Sequence, residues 1–334
     1  MNYTEQEARA LVIEAGHRLL EKGLVARTWG NISARVSDTQ FVITPSGRAY
    51  DTLQPEHLVL VNISDCSYEG DTKPSSEKGI HAAAYRRRSD VNFVIHTHQD
   101  YASCVGVSGK HIALSAHPML GTCVPCAAYG LPGTKKLQQG VENAMEQFPE
   151  SRAILMRHHG ALCMGRDLSH AFEVATALES VSQEIYETAV SLSDVTAKNS
   201  SGLVNELKIE GNGQHFLVET DSAVMTVAER GKTLRPYLDD LAQIAGVTVR
   251  CAGNDATAIM KAMKGRNAVL VPGFGAVCCA EDEDDLSAIA AIVRKGCMTA
   301  LYAGRCGAKP LSTLDCTLMR LVYQMKYSKK KAGN

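Results

Sequence analysis

The run Asn92–His98, NFVIHTH, constrains this chain more than any other. β-Branched and aromatic residues fill it, and it is too short for a helix, so it reads as a strand. It ends in His96 and His98, one residue apart. Imidazole fills a core poorly and holds a metal well. Residues i and i+2 of a strand point to the same side, so the two rings project together and can share one ion. A second apolar strand, AILMRHHGALCMG at 153–165, carries His158 and His159. Adjacent strand residues face opposite ways, so one of that pair is expected to join the site. An HxH alone is as well explained by two polar residues on a half-exposed strand; the second histidine pair shifts the reading to a metal. Three neutral imidazoles leave a divalent cation's charge intact and one position open, the pattern of a catalytic Lewis acid.

The rest of the first half alternates strands and helices. Thr4 and Glu7 have capping-box spacing ahead of a helix over 4–22, with Gly23 as its stop. TWGNISARV, FVITPSGRAYDTL and LVLVNI read as short strands, with Pro45, Ser46 and Gly47 forming a turn. KPSSEKGIHAAAYRRR starts a helix that its serines cap, and further helices are expected near 134–147 and 168–191. This alternation predicts a layered α/β domain over 1–195. SLSDVTAKNSSG, residues 191–202, is the best linker in the chain.

Beyond the linker, NAVLVPGFGAVCC at 267–279 echoes RAILMRHHGALCM at 152–164. Ala153, Leu155, Gly160, Ala161 and Cys163 align with Ala268, Leu270, Gly275, Ala276 and Cys278, and an Asp-Leu pair ahead of a helix follows each. The expectation is a second, smaller α/β domain over 203–330, a diverged internal repeat. Gly273 and Phe274 replace His158 and His159, and no histidine follows His215, so the repeat is expected to lack a metal site.

A formal net charge of −1 over 334 residues predicts no nucleic-acid or membrane partner. No signal peptide is recognised, and no apolar run is read as long enough to span a bilayer. The 11 cysteines are scattered and odd in number, which fits reduced thiols in a cytoplasmic protein. Cys123 and Cys126 form a lone CxxC, read as two packed side chains.

Glu77 lies at the start of its helix, where an acid suits the helix dipole or serves as a base beside the metal. Ser75 and Ser76 either cap that helix or join its free N–H groups in a phosphate cradle, to which TWGN and TPSG would add donors.

The ordered series TWGNIS, ITPSG, PSSEKGIHAAAY, VIHTH, VPCAAY and RHHGAL resembles the class II aldolase and adducin family over roughly residues 5–195. The resemblance implies a three-layer αβα sandwich around a mainly antiparallel sheet, and a homo-oligomer. It implies that His96, His98 and His159 hold zinc (Zn2+), with His158 on a non-ligand position; Mn2+ or Co2+ would accept the same imidazoles. It makes Glu77 the catalytic acid/base. It places Thr28, Gly30, Asn31, Ser46, Gly47, Ser75 and Ser76 at the substrate phosphate. The implied reaction cleaves a ketose 1-phosphate to dihydroxyacetone phosphate and an aldehyde. In it the metal spreads the negative charge, Glu77 shuttles a proton and the phosphate pocket fixes register.

Some features depart from the family pattern. The aldolases carry a proton-donating tyrosine ahead of the PCAPY-like motif, and ALSAHPMLGT at 113–122 has none; His117 is the candidate substitute. Family epimerases carry Asp at the position of Glu77, which weighs against that activity and leaves dehydratase or decarboxylase as alternatives. Family enzymes end near the linker, so the second half is expected to pack as a pseudo-subunit. A non-catalytic adducin-like scaffold would keep the fold without the ligands, and the full set of histidines with Glu77 argues for the enzyme.

Overall fold

The structure, a computed structural model, describes residues 3–24, 29–211 and 213–331. It divides into two compact units, Met1–Ile185 and Tyr186–Asn334.

The first unit opens with α1 (Glu5–Glu21). Thr4 Oγ1 accepts from the Glu7 N–H, and the Glu7 carboxylate accepts from the Thr4 N–H at 2.8 Å, which closes the expected capping box. A meander follows: β1 (Asn31–Arg35), β2 (Gln40–Ile43) and β3 (Val59–Asn62). Then come α2 (Lys78–Arg87), β4 (Phe93–Thr97) and α3 (Asp100–Gly106). β5 (Ile112–His117) and β6 (Gly121–Val124) form a separate ribbon. β7 (Cys126–Ala127), α4 (Lys135–Gln147), β8 (Ala153–Met156), β9 (Ala161–Gly165) and α5 (Leu168–Ala189) complete the series.

Seven strands form one mixed sheet in the order β3-β2-β1-β4-β9-β8-β7, antiparallel throughout except for the β7–β8 pair. β4 is therefore central, with β1 on one side and β9 on the other. Alternate strand residues are buried on both faces. Val94, Ile154 and Met156 pack with Ile80 of α2 and Leu137 of α4, while Phe93, Ile95, Leu155 and Cys163 are fully buried between them in sequence. At about 1.5–3 kcal/mol for each large apolar side chain, this burial anchors β4 firmly.

Residues 153–165 do not form the single strand that apolarity predicts. They form the β8–β9 hairpin, whose turn is RHHG. Gly160 closes that turn because a Cβ there would lie 2.2 Å from the Thr97 carbonyl oxygen.

The second unit contains α6 (Ser201–Glu210), β10 (His215–Glu219), α7 (Ser222–Ala228), α8 (Asp239–Ile244) and β11 (Arg250–Cys251). It continues with α9 (Ala256–Met263), β12 (Ala268–Val271), β13 (Gly275–Ala280), α10 (Glu283–Cys306) and α11 (Thr313–Lys331). Its four-stranded sheet runs β10-β13-β12-β11. Contrary to the sequence reading, α10 is long and apolar enough to cross a membrane, but 78% of its most apolar window is buried inside the fold, as in a core helix. Lys295 Nζ of α10 lies 2.6 Å from Asp240 Oδ2 of α8, and both side chains are almost fully buried.

Candidate metal centre

The register of the central strand sets the site. His96 pairs with Asn31 on β1 and with Leu162 on β9, which leaves its ring fully buried. His96 Nδ1 lies 2.9 Å from the Ala161 carbonyl oxygen. A carbonyl only accepts, so Nδ1 donates and Nε2 turns a lone pair toward the interior. His98, two residues on, places its Nε2 3.0 Å from His96 Nε2. His159 joins from the hairpin turn, and the three rings stand 4.7–4.8 Å apart between centroids.

One ligand atom from each ring lies within 4.8 Å of the others. Nitrogens on a tetrahedral zinc, bound at about 2.0–2.1 Å, would stand about 3.3 Å apart, so the group fits such an ion after a small contraction. Burial pushes the His96 pKa well below its ordinary value, against the pull of Glu77 and with His98 and His159 adding to the effect. The ring is thus neutral, the form that binds a cation.

Turn geometry, rather than strand alternation, selects between the adjacent histidines. His158 sits at φ 63° and packs edge-on against Tyr129 at 5.4 Å. His159 faces His96.

Glu77 is the N-cap residue of α2, one position before its first turn, and makes no side-chain cap bond. Ser75 Oγ accepts from the Glu77 N–H at 3.2 Å, so the serines shape the approach to the helix rather than cap it. The Glu77 carboxylate turns inward instead. Oε1 lies 3.0 Å from His159 Nε2, and Oε2 lies 3.3 Å from His96 Nε2. Oε2 also accepts from Asn31 Nδ2 at 2.9 Å. Burial opposes its charge, but His159, with hydrogen bonds from His159 and Asn31, outweighs it and holds Glu77 well below the usual carboxylate range.

Behind Glu77 runs a buried chain that the sequence reading missed. Asn31 Oδ1 hydrogen-bonds His81 Nε2, His81 Nδ1 lies 2.6 Å from Ser33 Oγ, and Ser33 Oγ lies 2.7 Å from the Tyr85 hydroxyl. The directions follow from the donors. Asn31 gives its N–H to Glu77, so its oxygen accepts from His81 Nε2–H. His81 Nδ1 then accepts from Ser33, which accepts from Tyr85. Burial lowers the His81 pKa to about 3, which keeps the ring neutral. The signal was the helical spacing of Glu77, His81 and Tyr85, which puts them on one face.

Of the expected phosphate-binding residues, Thr28 lies outside the described residues. Gly30 adopts φ 83° just before Asn31, whose side chain is engaged with Glu77 and His81. Gly47 adopts φ 67° in the turn after β2. Ser46 N–H donates to the Lys73 carbonyl and Ser75 N–H to the Thr44 carbonyl, so the Ser46–Gly47 turn runs beside the segment carrying Ser75 and Ser76. Ser75 is buried and Ser76 exposed.

His117 ends β5, where its Nδ1 accepts from the Met119 and Leu120 N–H groups at 3.1 and 3.3 Å. That nitrogen is occupied in shaping the ribbon's turn. Cys126 is a free, buried thiol that burial pushes up to about 12, in keeping with a packed side chain.

Residues 10–186 match the class II aldolase and adducin N-terminal domain. The chain is 34% identical over 186 residues to the 5-deoxy-D-ribulose 1-phosphate aldolase of Bacillus thuringiensis, across 55% of this chain and 86% of that protein. It is 32% identical over 187 residues to the L-fuculose phosphate aldolase of Escherichia coli, across 55% of this chain and 84% of that protein. Among solved structures, YgbL of Klebsiella pneumoniae matches with a TM-score of 0.50 at 24% identity, over 56% of this chain and 91% of that one, a likeness of fold.

Proposed function

Because the chain belongs to the class II aldolase and adducin family, we propose that its first unit is the catalytic domain of a zinc-dependent aldolase that cleaves a ketose 1-phosphate to dihydroxyacetone phosphate and an aldehyde. The observation that carries this reading is the buried meeting of three imidazoles and one carboxylate at the end of the central strand. The frame is the family's three-layer αβα sandwich, supported by burial on both faces of the sheet.

His96, His98 and His159 would hold the ion, and manganese or cobalt suit the same donors. When bound, the cation supplies Lewis acidity that stabilises negative charge at the carbonyl beside the breaking bond. The remaining work falls to the chain's own groups. Glu77, held charged, takes the hydroxyl proton from the carbon that becomes the aldehyde and returns one proton to the carbon released. Asn31 keeps the carboxylate aimed. Thr28, Gly30, Ser46, Gly47, Ser75 and Ser76 bind the phosphate, supported by the left-handed backbone at Gly30 and Gly47 and by the adjacency of the two serine-bearing segments. Asn31 contributes more to positioning than to phosphate, since its side chain is already committed.

We place the enzyme in the cytoplasm as a homo-oligomer acting on a small phosphorylated sugar. Among the described residues, no cysteine is joined in a disulfide.

Purified protein loaded with zinc is expected to release dihydroxyacetone phosphate from one or more ketose 1-phosphates. Glu77→Gln should lose about 10²–10⁴-fold in rate while keeping its metal. The missing tyrosine at 113–122 favours a second reading, in which the same site dehydrates or decarboxylates a sugar phosphate. Metal retention with such products, and no dihydroxyacetone phosphate, would select it. A chain that binds no metal and turns over none of these substrates would be the adducin-like scaffold.

A further inference from the structure

The second unit repeats the first unit's element order. α2, β4, α3, β7, α4, β8, β9, α5 is matched by α6, β10, α7, β11, α9, β12, β13, α10, with the β5–β6 ribbon in one place and α8 in the other. The sheet orders correspond, β4-β9-β8-β7 against β10-β13-β12-β11, and in both the last pair alone is parallel.

Register agrees as well. Thr97 pairs with Ala161 and Ile95 with Cys163; Glu219 pairs with Ala276 and Leu217 with Cys278. In the hairpins, Ala153 opposes Cys163 and Ala268 opposes Cys278. A Cβ on Gly160 would lie 2.2 Å from the Thr97 carbonyl oxygen, and one on Gly275 would lie 2.2 Å from that of Glu219. His158 and Gly273 occupy the same turn position at φ 63° and 80°. Asp167 and Asp282 each accept from an N–H three residues on as a helix begins, so Asp282, not the Asp285 suggested by the sequence, is the counterpart of Asp167. The cores follow suit: Val94, Ile154 and Leu162 in one cluster, Phe216, Val269 and Val277 in the other. Chance pairing of two apolar hairpins does not reproduce register, close glycine contact, left-handed turn and helix cap together.

We propose that residues 201–306 are a diverged copy of residues 78–189, and that they retain the backbone of a latent metal centre at Val218, Thr220 and Phe274. The shared register places Val218 where His96 stands, Thr220 where His98 stands and Phe274 where His159 stands. Val218 and Phe274 pack in one apolar cluster, so hydrophobic contact has replaced the ligand set. Ser200 is the N-cap of α6 as Glu77 is of α2. Lys198 N–H donates to the Gly273 carbonyl at 2.8 Å, and its ammonium lies 5.8 Å above the Phe274 ring. A cation–π contact thus takes the place of the Glu77–His159 pair. β1–β3, with the turns assigned to phosphate, have no counterpart among the described residues of this unit. The copy has lost ligands, base and phosphate turns while keeping the frame.

The inference rests on His96, His98 and His159 being the metal ligands of the first unit. The test is metal content of the full-length V218H/T220H/F274H variant after zinc loading and dialysis. Zinc per chain should double, from one in the parent to two. The same three changes in an H96A background should raise zinc from none to one, which separates a failure here from a failure of the first site. A variant with the parent's circular dichroism and no added zinc overturns the proposal. Should the triple variant not fold, P272R/G273H/F274H, which grafts the first unit's turn onto the second, carries the test. It should fold, because residue 273 has the backbone that His158 already adopts, and its unfolding would overturn the common origin.

Discussion

Asn31 Nδ2 donates to Glu77 Oε2 at 2.9 Å, and so joins the first residue of β1 to the N-cap of α2. The contact fixes the carboxylate on the side of His96 and His159. Asn31→Ala removes the donor but no metal ligand. Its catalytic rate should fall about 10–100-fold, the usual cost of losing an outer positioning group. Metal content by mass spectrometry should be unchanged; loss of metal in step with activity would assign Asn31 a different role.

His81 supports Asn31 from behind. His81→Phe strands the Asn31 oxygen in the core, at about 1–3 kcal/mol, and leaves the Ser33 hydroxyl with only its Tyr85 contact. Urea unfolding reads the loss. The same variant carries a pH signature. The folded His81 pKa is depressed to about 3 by burial, below its unfolded value of about 6.5. Between those values the unfolded chain binds more protons, so His81 makes stability rise with pH across that window and fall as the solution is acidified. The variant should show a shallower loss of stability between pH 6.5 and 4 than the parent; equal slopes would exclude a buried neutral ring.

Gly160→Ala tests the hairpin turn. The added methyl would lie 2.2 Å from the Thr97 carbonyl oxygen and 3.1 Å from the His96 ring. Backbone must shift, at about 1–3 kcal/mol, and the shift falls on two of the elements that carry the histidines. Lower thermal stability together with weaker metal retention is expected; a neutral substitution would mean that the strands are farther apart.

Lys295 and Asp240 form a buried pair in the second unit. Lys295→Ala leaves a buried carboxylate and should cost about 3–5 kcal/mol, whereas K295M/D240L should cost far less. Chemical denaturation of the three proteins decides this, and equal losses in the two variants would indicate that the charges do not depend on each other.

The sequence revealed the HxH on the central strand because a period of two leaves no choice of face. The RHHG turn was hidden: Ala153–Met156 and Ala161–Gly165 are equally apolar, and only Gly160 marks the break. The capping expected of the serines fails because Glu77 takes the N-cap position and finds its partners on β1, β4 and the hairpin turn, which local pattern does not show. The Asn31–His81–Ser33–Tyr85 chain likewise depends on β1 lying over α2. Only the Glu77, His81, Tyr85 spacing was available beforehand.

The most direct test of the metal centre is zinc bound per chain in the parent and in His96→Ala, measured after loading with excess zinc and dialysis. The parent should retain one ion per chain, and His96→Ala, still folded, should retain none and release no dihydroxyacetone phosphate. A folded parent that holds no divalent ion, or a variant that keeps its ion and its activity, would contradict the account.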